Sequence, residues 1–406
     1  MLPAAGVAIL VLSAGVSACS EPATETSKEP PKATPSASAS SESPSDSPEP
    51  LKALDAAPLP ASLYEPLHEI RSSQSGFAVL VAAVDERGSL LLRHSKKTGS
   101  LELTEETLEL RDSNGTLATF GASPKRPHQV TEATFNKDFV VWMETPETEL
   151  IPDPWVMYAY NRDTREVSEL TRAPRVGRFP APAVPSFTGP VLAGGRVHWA
   201  QLGGRPRSET VAIWGCDPRR CTPREEIAGA ALPAVSGESV YAIQTARFTG
   251  KRAPGSEFSI VRLDPESGEV TTIRTIPMSD TEFPDGLAAN DSSFLWLVAD
   301  SAGAGRAHVW DQADGSEVVV TSELDGGFGY PVLGEDFAAW GEASGLNDVG
   351  NFVLDRSSNT LYSMGVMGYY GVEGTGPVLA WMDHLSDDRS AMGTTVVRWK
   401  SPDEPG

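Results

Sequence analysis

Tyr330-Pro331-Val332-Leu333-Gly334-Glu335-Asp336-Phe337-Ala338-Ala339-Trp340, followed after a loop by Val353-Leu354-Asp355-Arg356-Ser357-Ser358-Asn359, holds the pattern from which this 406-residue chain is built. A short apolar run meets a Gly/Asp turn, a second run ends in Trp, and a later run breaks at a polar turn. The Trp-terminated run recurs as Val141-Trp142, His198-Trp199, Leu295-Trp296 and Ala380-Trp381, and Tyr241-Ala242 fills the same slot without the indole. The run that breaks at a turn recurs as Tyr158-Ala159-Tyr160-Asn161-Arg162-Asp163, as Val261 to Gly268 and as Val309 to Gly315. The spacing drifts over roughly 40 to 60 residues, and self-similarity on that scale marks repeat architectures.

Each copy parses into four strands, A to D, with the Trp on strand B. Asp or Asn followed by Gly or Ser between C and D supplies the chemistry of tight hairpin loops. Short strands at regular spacing mean a sandwich, barrel or propeller, and a four-stranded unit of about 40 residues selects the all-β propeller. The pattern P-x-V-x-G-x-x-V-x-W, then Asp with Gly-Glu and Leu-Thr beyond it, resembles the TolB-like propeller repeats of bacterial envelope proteins over about 125–400. That resemblance implies the same propeller fold. Strand-B anchors fall near 142, 199, 242, 296, 340 and 381. The segment Gly76 to Phe120, with Phe77-Ala78-Val79-Leu80-Val81 and a turn at Asp112-Ser113-Asn114-Gly115, reads as a further blade, giving seven. Six blades plus a closing hairpin is the alternative. The last copy ends at Gly406 without a strand D, so a strand within 62–84 is expected to close the ring. The repeated Trp reads as packing between blades rather than as a stacking platform.

The formal charge of −22 and pI near 4.7 argue against nucleic acid, whose phosphates require a basic face. Residues 3–18 are apolar but short for a bilayer span. They end in Val16-Ser17-Ala18-Cys19, which resembles the bacterial lipobox. The resemblance implies cleavage before Cys19 and diacylglycerol on its sulfur, hence an extracytoplasmic protein held to the bacterial cell membrane. No Lys or Arg precedes the apolar run, a departure from the usual leader. Residues 20–60 are Ser, Pro, Ala, Glu and Thr-rich and bury too little apolar surface to offset chain entropy. The expected organisation is a lipoprotein signal at 1–19, a disordered tether at 20–60 and a propeller at 61–406.

Cys216 and Cys221 flank Asp217-Pro218-Arg219-Arg220 where other copies carry their C–D turn, and a disulfide across that hairpin is the favoured reading. A redox or metal pair would need further Cys or clustered His. The six His (68, 94, 128, 198, 308 and 384) show no zinc spacing, so no metal or cofactor is expected. No nucleophile elbow, P-loop or dinucleotide fingerprint occurs. The faint calcium-loop look of Asp311-Gln312-Ala313-Asp314-Gly315 recurs at every C–D turn and reads as hairpin geometry. Asn114-Gly115-Thr116 matches a glycosylation sequon within such a turn. Asp383 and His384 are the most tempting acid–base pair, without a visible nucleophile or metal partner.

Loop length points to one face. The connections read as 143–154, 200–210, 243–257, 341–350 and 382–393 join strands B and C, and these loops share a face with the D–A connections. On that face Arg205, Arg207, Arg247, Lys251 and Arg252 form a basic group. Glu144, Glu147, Glu149 and Asp153 form an acidic one, as do Asp383, Asp387 and Asp388 beside His384. The reading that follows is a lipid-anchored propeller binding a protein or envelope polymer through its B–C face. A propeller enzyme (hydrolase, lactonase or lyase) acting on envelope material, and a membrane-tethered scaffold, are the competing readings.

Overall fold

Every apolar run ending in Trp is the second strand of a four-stranded antiparallel sheet. The computed structural model describes residues 49–401, apart from 72, 75–76, 98–102, 122–128, 146–154, 177–178, 181–188, 203–209, 250–255, 301–303, 323–327, 343–349, 366–371 and 385–391. In strand order A to D, blade 1 is Phe77–Val84, Leu90–Lys97, Leu103–Asp112 and Gly115–Gly121; blade 2 is Gln129–Phe135, Phe139–Thr145, Val156–Asn161 and Glu166–Arg172. Blade 3 is Val191–Ala193, Arg196–Leu202, Val211–Cys216 and Arg224–Ala228; blade 4 is Ala230–Ser236, Ser239–Thr245, Ser256–Leu263 and Val270–Met278. Blade 5 is Glu282–Ala289, Ser293–Asp300, Gly305–Asp311 and Glu317–Thr321; blade 6 is Phe328–Leu333, Phe337–Glu342, Gly350–Asp355 and Thr360–Ser363. Blade 7 takes Val372–Thr375, Val378–His384 and Met392–Trp399 from the C-terminal end. Its outermost strand is Tyr64–Arg71 from the other end of the chain, running antiparallel to Met392–Trp399. The chain is a seven-bladed β-propeller, closed by a strand from the expected 62–84 window.

The core is a ring of interfaces. One apolar cluster joins blades 1 and 2, and others join 2 and 3, then 3 through 5, 5 and 6, 6 and 7, and finally 7 and 1. Trp142, Trp199, Trp296 and Trp340 are fully buried within these seams. A Trp buries roughly 150–250 Å², about 4–6 kcal/mol of transfer free energy each. Between blades 4 and 5 the Arg274 guanidinium lies 5.2 Å from the Trp296 ring and 4.6 Å from that of Trp310, and it pairs with Glu317 at 2.6 Å.

The C–D turns share one mechanism. The Asp or Asn near the end of strand C accepts a backbone N–H two residues on: Asp112 from Asn114, Asn161 from Asp163, Asp217 from Arg219, Asp264 from Glu266, Asp311 from Ala313 and Asp355 from Ser357. Asp314 likewise accepts Ser316 N, so the calcium-like carboxylates are occupied by their own backbone.

Short strands before residue 61 reach the propeller. Leu51–Lys52 runs parallel to Val320–Thr321 on the outer edge of blade 5, and Ala57–Pro58 runs parallel to Tyr362–Ser363 on blade 6. Ala53 between them is buried against the blade 5–6 seam, and Pro50–Gly406 forms one compact unit. Composition argues for disorder up to 60, but an open sheet edge supplies hydrogen bonds that a few small apolar residues suffice to hold.

Candidate binding face

Strand B ends, and strand C begins, on the face that carries the longer connections. Here 146–155, 203–210, 246–255 and 343–349 join B to C; on the opposite face 113–114, 162–165 and 356–359 are tight C–D turns, while 217–223 and 264–269 are longer C–D connections. Of the candidate residues, Arg205, Arg207, Glu147, Glu149, Asp153, Lys251, Arg252, Asp387 and Asp388 lie outside the described residues, as does Cys19. Cys216 and Cys221 are bonded across the C–D hairpin of blade 3, with Cα atoms 5.0 Å apart.

Two candidates have partners within the propeller. Glu144 is buried within strand B, and its Oε1 accepts the indole N–H of Trp142 at 2.5 Å. Residues i and i+2 share a face of a strand, so a carboxylate or amide two places after the Trp can satisfy its buried donor. Trp199 repeats the arrangement with Gln201 at 2.9 Å. Glu342 holds the same place after Trp340, but accepts the hydroxyl of Ser322 from the preceding blade. Asp383 occupies that position after Trp381, on strand B opposite Gly393, with His384 opposite Met392. Arg247 is the second. Its guanidinium donates to the carbonyls of Ser279, Asp280 and Glu282, tying the turn Ala246–Thr249 of blade 4 to the entry of blade 5. Charge and loop position in a sequence do not show that a neighbouring blade presents carbonyls at that point.

The B–C face also opens a pocket of about 250 Å³ at the end of blade 5, lined by Glu282, Val298, Ala299, Asp300, Ala304, Gly305, Arg306, Thr321 and Ser322. All four strands contribute: the start of A, the end of B, the start of C and the end of D. Blade 5 joins B to C through 301–304 alone, shorter than the 246–255 and 343–349 connections on either side. Arg306 pairs with Glu282, whose Oε2 accepts Ser279 N at 2.8 Å, and Asp300 Oδ1 accepts Ala304 N at 3.0 Å. Thr321 donates to Leu51 O at 3.3 Å, so the N-terminal segment meets the propeller beside the pocket rim. Below Ser322, burial raises the Glu342 carboxyl, and the Ser322 hydrogen bond only partly offsets this. In the sequence the pocket is marked only by the short connection after Asp300.

The inner strands carry further acids. Glu373 on strand A of blade 7 is held well above the usual carboxylate range by burial and by the charge of Glu132 on blade 2, with Arg93 acting the other way. Burial pushes Asp285, at a bulge in strand A of blade 5, up to about 7. Among the described residues, no group of three or more His, Cys, Asp and Glu could hold a metal ion.

Neither a protein-family model nor a curated protein matches this chain. Among solved structures, the β-propeller domain of the Trilobed protease from Pyrococcus furiosus aligns at TM-score 0.51 and 9% identity, over 82% of this chain and 98% of that one. That domain is described as having an open velcro topology; here Tyr64–Arg71 pairs with the last strand. An uncharacterized protein from Listeria monocytogenes aligns at TM-score 0.45 and 11% identity, covering 80% of this chain and 98% of that one. TolB from Acinetobacter baumannii aligns at 0.40 and 11%, covering 74% and 79%. TolB-like propellers are thus among the structural neighbours.

Proposed function

We propose that this chain is an extracytoplasmic binding module, anchored by a lipid on Cys19, that takes a protein or envelope ligand through the B–C face of its propeller. The asymmetry of the two faces carries the reading. One carries C–D connections that open on Asx-satisfied turns, while the other holds the longest connections, 146–155 and 246–255, and the blade 5 pocket. Loops on a rigid scaffold are where binding residues concentrate. Small residues before Cys19 and the polar tract after it support a tether that lets the face meet its partner away from the membrane.

The test is capture from crosslinked cells. Lys251→Glu with Arg252→Glu should weaken partner capture and reduce its salt dependence while leaving the melting temperature unchanged. Arg247 is left intact because it holds blade 4 to blade 5. Undiminished capture by the folded double variant would remove these loops from the binding role. In the same cells Cys19→Ala should release the protein from the membrane fraction or leave it unprocessed.

A further inference from the structure

The blade 5 pocket contains both signs of charge in a small volume. Among the described residues its ionisable lining is Glu282, Asp300 and Arg306. The side chain of Glu282 is 17% exposed and that of Arg306 41% exposed, so the pair stands at the pocket wall within reach of solvent. A guanidinium has five N–H donors in a planar fork, and the ion pair engages Arg306 through Nη2. Glu282 is fixed from two directions, by Ser279 N at its carboxylate and by Arg247 at its carbonyl. Asp300 is fixed by Ala304 N. These groups are preorganised, and preorganisation lowers the ordering cost of binding.

The lining excludes several ligand classes. Among the described lining residues Val298 is the one large apolar side chain and none is aromatic, so these walls offer an apolar ligand little and a sugar no stacking platform. A simple anion on Arg306 would face the carboxylates of Glu282 and Asp300. A simple cation would face Arg306. A ligand carrying both charges on adjacent atoms meets a complementary group with each.

We propose that this pocket binds the zwitterionic α-amino-acid group, its carboxylate on the Arg306 fork and its ammonium toward Glu282 and Asp300, with the side chain over Ala299 and Ala304. The assignment rests on the reading of the B–C face as the binding side, and names a ligand class for one point on it. The hydroxyl protons of Thr321 and Ser322 are directed to Leu51 O and Glu342, so these residues shape the outer wall.

Calorimetric titration of the full chain with alanine, N-acetylalanine and alaninamide tests it. Alanine should bind saturably, and blocking either terminus should weaken binding at least tenfold. Arg306→Lys keeps the charge but removes the fork, and should weaken alanine binding about tenfold with the melting temperature retained; Asp300→Asn should do the same from the ammonium side. Equal affinity for alanine and either blocked form would overturn the charge assignment. No saturable binding of alanine, with partner capture still sensitive to Lys251→Glu and Arg252→Glu, would overturn the pocket assignment and leave the face reading standing. Alanine binding in a protein whose partner capture ignores those loop variants would keep the pocket and sink the face reading.

Discussion

Gly215 stands in strand C of blade 3, opposite His198 on strand B and Arg224 on strand D. Its missing side chain opens the path by which Glu226 on strand D crosses to His198 Nδ1 at 2.6 Å and to Arg196 at 2.7 Å. A Cβ at 215 would lie 2.6 Å from Glu226 Cδ, so Gly215→Ala should displace the carboxylate and leave a buried imidazole unpaired. The expected loss is about 2–3 kcal/mol, read from the urea midpoint, and an unchanged midpoint would refute the account. Burial raises the Glu226 carboxyl, but the His198 and Arg196 contacts more than offset it and hold it below its ordinary value. That stabilisation is present above the ordinary carboxylate pKa and disappears as pH falls through the lowered one. Asp285 behaves oppositely. With its pKa raised from 3.8 to about 7, stability is full below 3.8 and falls as pH rises through 7, by an upper bound of about 4 kcal/mol. Asp285→Asn should therefore raise the melting temperature at pH 8 and leave it nearly unchanged at pH 4. Equal effects at both pH values would show that the carboxyl is not desolvated.

At the scale of the element, the hairpin closed by Cys216 and Cys221 shows what a short staple does. The two residues are five apart, and closing so small a loop removes unfolded-state entropy worth about 2 kcal/mol in the chain-entropy picture. Cys216 is buried at the end of strand C in the blade 2–3 seam, and the Arg219 guanidinium lies 5.0 Å from the Phe139 ring of blade 2. The staple therefore shapes one turn and the edge of one seam. Cys221→Ser should lower stability by about 2 kcal/mol in a single cooperative transition, with the pocket and the ring closure intact. A loss of cooperativity would mean that the hairpin organises more than its own blade. Strand B follows a similar local rule, pairing Trp142 with Glu144 and Trp199 with Gln201 through the period of two that defines a strand.

For the whole molecule, closure decides stability. Each blade buries its faces only against two neighbours, so an open ring would expose one face at each end. Tyr64–Arg71 gives blade 7 its outer strand, with Trp399 paired to Tyr64 and Lys400 N donating to Leu63 O at 2.9 Å. Removing residues 1–49 should leave the melting temperature within a degree or two. Removing 1–71 should abolish the single sharp transition in calorimetry, because blade 7 loses its outer strand and the blade 6–7 seam loses Leu59, Leu63 and Tyr64. A sharp, unshifted transition in the longer truncation would show that the ring does not depend on this closure.

Local chemistry made much of this legible. The apolar run ending in Trp, the Asx turn after strand C and the missing last strand are short-range patterns, and they specify strands, hairpins, blade number and the need for a closing segment. The Cys pair was legible for the same reason, since its partners are neighbours in sequence. What lay between blades was not. Glu144 reads as a loop acid until the indole of Trp142 is placed beside it, and Arg247 reads as a ligand contact until the carbonyls of blade 5 appear under it. The blade 5 pocket gathers residues from 282 to 322 at the ends of four strands, and only the folding of the sheet puts those ends side by side. Side-chain period and turn preference act over a few residues. The partners of a buried donor or a buried acid are set by which blades become neighbours when the ring closes.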